Sequence, residues 1–187
     1  MEKPLDIPRA LETERLFLRC PLADDSPAIN AGIRASWQEL GPWMEWAQGE
    51  PPSVDDTHGR MSIREKGFED RADFTYGAFE KDSGEFVGMF SLFRFDWNVP
   101  SGEIGYWVAT PKTGRGYATE VTEALTQYGF SLGLVRVQIR CDANNRRSKA
   151  VAERAGYALE GTLRNECLTP QGELRDTCVY SRLPESV

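Results

Sequence analysis

EIGYWVATPKTGRGYAT, residues 103–119, joins an apolar, strand-like run to a proline, to two glycines separated by one residue, and to the start of a long helical pattern. A turn of this kind aims backbone N–H groups and the positive end of a helix at an anion, and a phosphate is the expected occupant. Downstream, Ala118, Val121, Leu125, Tyr128 and Leu132 recur at spacings of 3, 4, 3 and 4, which predicts one apolar helix face closed by Gly133. Val135, Val137, Ile139 and Cys141 then alternate with polar residues as a half-buried strand. Asn144 or Asn145 caps a second helix running through Ala155 and stopped by Gly156. Two β-rich runs, Tyr157 to Leu168 and Glu173 to Leu183, meet at the turn TPQGE and read as a closing hairpin.

Upstream of the turn, RLFLRC (residues 15–20) reads as a first strand after an irregular arm, followed by PLADD as turn and helix cap. Val54 to Asp70 reads as a polar helix facing solvent. Asp73 to Lys81 and Glu85 to Phe95 form a hairpin, and Glu103 to Ala109 extends it into a meander. A helix followed by a strand then makes a crossover, so one strand pair is parallel. The chain is expected to fold as one α+β domain, residues 1–187, with a central mixed, mostly antiparallel sheet of about seven strands flanked by helices.

Composition narrows the chemistry. The 187 residues carry 22 Lys and Arg against 29 Asp and Glu, a net charge of -7 that argues against a nucleic-acid partner. No apolar run reaches the ~20 residues of a membrane span, and the N-terminus lacks a secretory pattern, so a cytoplasmic location is expected. Cys20, Cys141, Cys167 and Cys178 are widely spaced and read as reduced thiols. With His58 as the single histidine, in a turn-like stretch, neither a histidine metal centre nor a well-founded Ser-His-Asp triad can be built, and no metal is expected. A dinucleotide fingerprint needs a third glycine inside a parallel βαβ unit, and a nucleoside-triphosphate loop needs G-K-[ST]; both are missing.

Three of the five tryptophans, Trp37, Trp43 and Trp46, crowd into residues 37–46. On a helical turn Trp43 and Trp46 would share a face, and they serve either as a hydrophobic seal on the core or as an aromatic wall for an acceptor substrate.

The segment TGRGYA, Thr113 to Ala118, resembles the acyl-coenzyme A pyrophosphate loop of the GNAT superfamily of N-acetyltransferases. N-x-x-S at Asn145 to Ser148, EGTLR at Glu160 to Arg164, and the opening RLFLR are similar to the branch that contains RimJ- and RimL-type protein N-terminal acetyltransferases. The resemblance implies a GNAT-like fold and an acetyl-CoA-dependent transfer of an acetyl group to a primary amine. The acceptor is a peptide N-terminus, or alternatively a small amine such as an aminoacyl nucleotide or an antibiotic. A non-catalytic acyl-CoA sensor is the third possibility, and the oligomeric state is monomer or homodimer. Two positions depart from the pattern. Thr113 stands where Gln or Arg is usual, and Ala152 stands where many members carry the tyrosine that protonates the leaving thiolate.

Amide formation sets the roles to be filled. A protonated amine must lose a proton, so a carboxylate or a water chain is needed as base. Glu103 on the strand entering the turn is the first candidate and Glu166 the second. Backbone N–H groups near Val108 and Ala109, where the resemblance implies that strands splay, are expected to receive charge on the thioester oxygen. Arg115, Gly116, Tyr117, Ala118 and Thr119 form the donor turn, with Asn145 and Ser148 across from it; Ser148 is also the candidate to assist the departing thiolate. Lys112, Arg146, Arg147 and Lys149 are candidates for the coenzyme's 3′-phosphate.

Overall fold

The computed structural model describes residues 8–71 and 73–185. Along the chain run β1 (Ala10–Glu12), β2 (Leu16–Arg19), α1 (Ser26–Arg34), α2 (Trp37–Leu40), α3 (Val54–Glu69), β3 (Phe74–Glu80), β4 (Phe86–Asp96) and β5 (Ser101–Val108). They are followed by α4 (Tyr117–Ser131), β6 (Arg136–Asp142), α5 (Arg146–Arg154), β7 (Ala158–Leu168) and β8 (Leu174–Arg182). The eight strands seen among the described residues form one sheet in the order β1-β2-β3-β4-β5-β6-β8-β7. Only β5 and β6 pair in parallel, as the helical crossover requires. The strand beyond the expected seven is β1, a three-residue run in the arm read as irregular; three residues carry no periodicity, and pairing with β2 makes it a strand.

Two apolar clusters hold helices to the sheet. The larger joins α4 to the sheet through Val121, Leu125, Ile104, Val137 and Ile139, and the smaller joins α1 and α3 through Ile29, Ile33, Met61 and Phe86. Alternation along β5 divides its side chains: Ile104 and Tyr106 belong to the first cluster, while Trp107 packs on the second. The α4 stripe differs in detail from the sequence pattern. Val121, Thr122, Leu125, Thr126 and Gly129 are buried, whereas Tyr128 and Leu132 are half-buried at the margin. Gly129 explains the shift, since a Cβ there would sit 3.1 Å from Leu134 Cδ1 and 3.3 Å from Val137 Cγ2; the helix approaches the core closest at its glycine.

Helix α3 is polar over most of its surface but turns Thr57, Met61 and Phe68 inward. Ser53 caps it by accepting the Asp56 N–H at 3.0 Å, and the Asp56 carboxylate accepts the Ser53 N–H at 3.0 Å in return. His58 is exposed on this helix rather than in a turn.

The feature that positions the site is a divergence of strands. β5 and β6 pair only at Ser101↔Arg136, Gly102↔Val137 and Glu103↔Gln138. Beyond Glu103, β5 stays with β4 as far as Gly88↔Val108, and β6 stays with β8 as far as Asp142↔Thr177. A wedge opens between them.

Candidate active site

A cavity of about 920 Å3 occupies that wedge. Its floor is Gly105 to Val108 of β5 and Ile139 to Asp142 of β6. One end reaches the turn before α4 and the first turns of α5, and the other reaches Glu39, Leu40, Trp43 and Met44 around α2.

At the first end, Gly114 and Gly116 adopt φ of 77° and 83°, the left-handed conformation that side chains with a Cβ resist. They fold the chain back so that α4 starts at Tyr117 with no side chain capping it. Gly116, Tyr117, Ala118 and Thr119 all line the cavity, so the unpaired N–H groups of the helix start border empty space. An anion such as a pyrophosphate fits this cradle by geometry and by the helix dipole. Thr113 plays a different part from a phosphate-gripping side chain: its hydroxyl donates to the Thr110 carbonyl at 2.8 Å and closes the preceding turn.

Arg15, from the start of RLFLR, braces the outer side of the turn. Its Nη1 donates to the Arg115 carbonyl at 2.9 Å, its Nε donates to Glu120 Oε2 at 2.7 Å, and its guanidinium lies 4.5 Å over the Tyr117 ring. Burial disfavours the Glu120 charge, but hydrogen bonds from Thr13 and Arg15 more than offset it and hold this carboxyl below its ordinary range. Arg15→Ala removes the brace while leaving every cavity-lining residue in place. It is expected to raise the KM for the acyl donor about tenfold, the loss of one charge-assisted hydrogen bond, with kcat within about twofold, measured by thiol release.

Lys112 and Arg115 are occupied on the protein itself. Lys112 is buried between Glu80 and Glu85, with Nζ 2.9 Å from Glu80 Oε1, and Arg115 Nη1 lies 3.4 Å from the same Glu80 oxygen. Glu80 is driven down to about 2, by hydrogen bonds from Ser83 and Lys112 above all. Lys149 turns its Nζ toward the Ala143 carbonyl. Arg146 and Arg147 line the cavity mouth with no partner among the described residues, which makes them the cations open to a phosphate monoester.

Helix α5 begins at Arg146 because Asn145 Oδ1 accepts the Ser148 N–H at 3.0 Å. Asn144 contributes its carbonyl, which accepts the Arg146 N–H at 2.9 Å, while the side-chain cap is Asn145. Ser148 lines the cavity, where its Oγ lies 3.0 Å and its carbonyl oxygen 3.3 Å from the Tyr106 hydroxyl. Ala152, one turn on, is fully buried and offers no acid.

Val108 lines the wedge, while Ala109 is buried and its N–H donates to the Val87 carbonyl at 2.8 Å. Successive amides of a strand point to opposite sides, so the Val108 N–H points away from β4 toward the wedge. Of the two, Val108 alone has an amide open to a reacting oxygen.

The carboxylates separate in the same way. Glu103 sits at the closed end of the wedge, outside the cavity lining, with its oxygens 3.2 Å from Arg94 Nη1 and 3.2 Å from Gln138 Nε2. Glu166 is likewise outside the lining, but it pairs with Arg140, which lines the cavity, and accepts from the Thr177 hydroxyl at 2.9 Å. Its carboxyl is held below the usual range by hydrogen bonds from Cys167 and Thr177 and by the Arg140 charge. The tryptophans part company too, because residues 43–46 form turns rather than a helix. Trp43 lines the cavity, whereas Trp46 packs at a tilt against Trp37 and Trp107, with ring centroids 6.2 Å and 5.8 Å away, on the small cluster.

Tyr106, Arg154 and Arg175 are among the lining residues that the sequence does not single out. Tyr106 lies inside the motif itself, and its alternation with Trp107 is the signal that marks it. Arg154 donates from Nε to Thr119 Oγ1 at 3.3 Å; its spacing of seven from Arg147 places both on one helix face. Arg175, near Cys167 and Asp142, enters the cavity through strand pairing that no local pattern discloses.

Residues 15–158 match the profile described as Acetyltransferase (GNAT) domain. The Bacillus subtilis (strain 168) protein YdaF is 32% identical over 173 residues, covering 91% of this chain and 92% of its own. The Ribosomal-protein-serine acetyltransferase of Escherichia coli (strain K12) is 29% identical over 146 residues, 77% of each chain. A solved structure of RimL, described as a ribosomal L7/L12 alpha-N-protein acetyltransferase in complex with coenzyme A, shares the fold with a TM-score of 0.84 at 23% identity, over 93% of this chain and 97% of that one.

Proposed function

Because the chain belongs to the GNAT acetyltransferase family, we propose that it moves the acetyl group of acetyl-CoA to the N-terminal α-amine of a protein or peptide by direct attack in a ternary complex. The observation that carries this reading is the continuity of the cavity from the uncapped start of α4, through the wedge, to Trp43 and Met44. Donor and acceptor can thus meet at Val108 from opposite ends. Relatives named for ribosomal-protein acetylation support a peptide acceptor. Trp43, half-buried on the cavity wall, favours a second reading in which a flat small-molecule amine stacks there.

The bound thioester supplies an already activated acyl group, so the chain's residues have to orient, deprotonate and stabilise. Gly116 to Thr119 hold the pyrophosphate, and Arg146 and Arg147 take the 3′-phosphate. The Val108 N–H meets charge on the carbonyl oxygen. Glu166, ionised throughout the neutral range, receives the amine proton through water, and Ser148 steadies the departing sulfur. Glu103, tied to Arg94 and Gln138, closes the end of the wedge instead of acting as the base.

Acetyl transfer to a panel of N-terminal peptides and small amines, followed by thiol release and product mass, tests this function. Ser148→Ala and Glu166→Gln are each expected to lower kcat on the order of 10²-fold with donor affinity retained. For a peptide, kcat/KM is expected to rise with pH through about 7.7–8.0 as the α-amine deprotonates, whereas a lysine acceptor would put the rise near 10.4. Glu166→Gln should lower the plateau without moving that inflection. A comparable loss in Glu103→Gln instead would return the base to Glu103, and donor binding without transfer to any amine would establish a sensor.

A further inference from the structure

The family's usual tyrosine acid is replaced here by buried Ala152, yet another tyrosine reaches Ser148. Tyr106 comes from β5 and Ser148 from α5, 42 residues apart, and their hydroxyls stand 3.0 Å from each other on the cavity wall. Resting on the acetyl-transfer reading above, we propose that Tyr106 is a positioning residue for thiolate departure: its phenol donates to Ser148 Oγ and so frees the Ser148 proton to point at the coenzyme's sulfur.

The direction of that bond follows from the surroundings. Two Ser148 oxygens lie within reach of the phenol, Oγ at 3.0 Å and the backbone carbonyl at 3.3 Å, and its single proton goes to the nearer. A phenol is the stronger acid of the two hydroxyls and donates to the aliphatic oxygen. Burial pushes the Tyr106 phenol above its ordinary range, so it stays protonated at every working pH. Stacking on Phe90, with ring centroids 6.0 Å apart and planes 27° from parallel, fixes the ring from behind. On its other side Ser148 faces the Cys141 thiol, which burial raises to about 11 and which the Ser148 hydrogen bond only partly lowers. That thiol is neutral near pH 7 and leaves the newly formed coenzyme thiolate as the more attractive acceptor.

As the C–N bond forms and the C–S bond breaks, the electron pair of the latter passes to sulfur, and Ser148 O–H meets that charge. Tyr106 O–H supports the oxygen from which the hydrogen is drawn, and a chain of two donors is stronger than either alone. The amine proton leaves through water to Glu166, and the thiolate takes its own proton from solvent after release. No phenolate forms.

Two measurements test the assignment. In steady-state kinetics Tyr106→Phe should lower kcat about tenfold with the KM for acetyl-CoA unchanged. Tyr106→Phe/Ser148→Ala should be no slower than Ser148→Ala, whereas Tyr106→Phe and Glu166→Gln should combine additively. Independently of any acceptor, the thiol of enzyme-bound coenzyme A, titrated by thiolate ultraviolet absorbance, should ionise at lower pH than the free coenzyme. Ser148→Ala should abolish that shift, and Tyr106→Phe should reduce it. An unchanged bound-thiol titration in Tyr106→Phe, or a full additional loss on top of Ser148→Ala, overturns the proposal. A shifted thiol that responds to Tyr106→Phe in a protein that acetylates nothing would overturn the acetyl-transfer reading and leave the hydroxyl pair standing.

Discussion

Gly116→Val is expected to weaken acetyl-CoA binding on the order of 10³-fold while the protein remains folded, read by calorimetry together with circular dichroism. Gly116 sits at φ 83°, immediately before α4, and its Cβ would lie 3.4 Å from Arg15 Nη2. A β-branched residue held there costs about 1–3 kcal/mol, which the exposed turn relieves by leaving the left-handed region. That rotation swings the amides of Gly116 and Tyr117 off the cavity. Two hydrogen bonds to a charged phosphate, at about 1.5–3 kcal/mol each, account for the size of the loss. Gly116→Ala, with one carbon and the same conformational conflict, should fall between the two. Equal affinity in wild type and Gly116→Val would move the pyrophosphate away from the start of α4.

The turn at 113–116 is legible in the sequence because its signal is local: glycines where φ is positive, a proline before them, a helical period after them. The same holds for the α5 cap, where an Asn three residues before a Ser suffices. The meander from β2 to β5 and the parallel β5–β6 pair follow from hydrophobic alternation and the α4 crossover, whereas the insertion of β8 between β6 and β7 has no local signal. What cannot be read is what depends on tertiary pairing. Arg15 and Arg115 are 100 residues apart, and nothing in either segment announces their contact. Lys112 reads as a phosphate ligand because a cation beside a glycine turn usually faces solvent; in the fold, β3 brings Glu80 beneath it and neutralises it. On a helical period Trp43 and Trp46 share a face, but turns at 41–46 send one to the cavity and the other to Trp107. Glu103 shares a face with Gly105, but the wedge opens only after it, and the end of β5–β6 pairing is decided by partners on β4 and β8.

That divergence has its own weak point, and it gives the largest expected loss of stability. Gly88→Ala places a Cβ 2.3 Å from the Trp107 carbonyl oxygen and 3.0 Å from Val108 Cα. Both are backbone atoms, so no side chain can rotate away, and β4 must part from β5 at Gly88↔Val108. Overpacking of this kind costs about 3 kcal/mol. Breaking the adjacent Ala109 N–H to Val87 carbonyl bond, 2.8 Å in the intact sheet, adds about 1 kcal/mol. For a domain of this length the sum lowers Tm by about 10 °C, a large share of a typical 5–15 kcal/mol total. Gly59→Ala is the matched control: it lies on α3 with nothing within 4 Å of its Cβ, and the helical gain should stabilise by up to about 1 kcal/mol. Because Val108 carries the amide assigned to the reacting oxygen, the Gly88→Ala protein that does fold at low temperature should also lose kcat beyond its loss of folded fraction. A Tm within about 2 °C of wild type would mean that the β4–β5 backbones are not in close contact at Gly88, and the Val108 amide would then lack the rigid support that holds it toward the wedge.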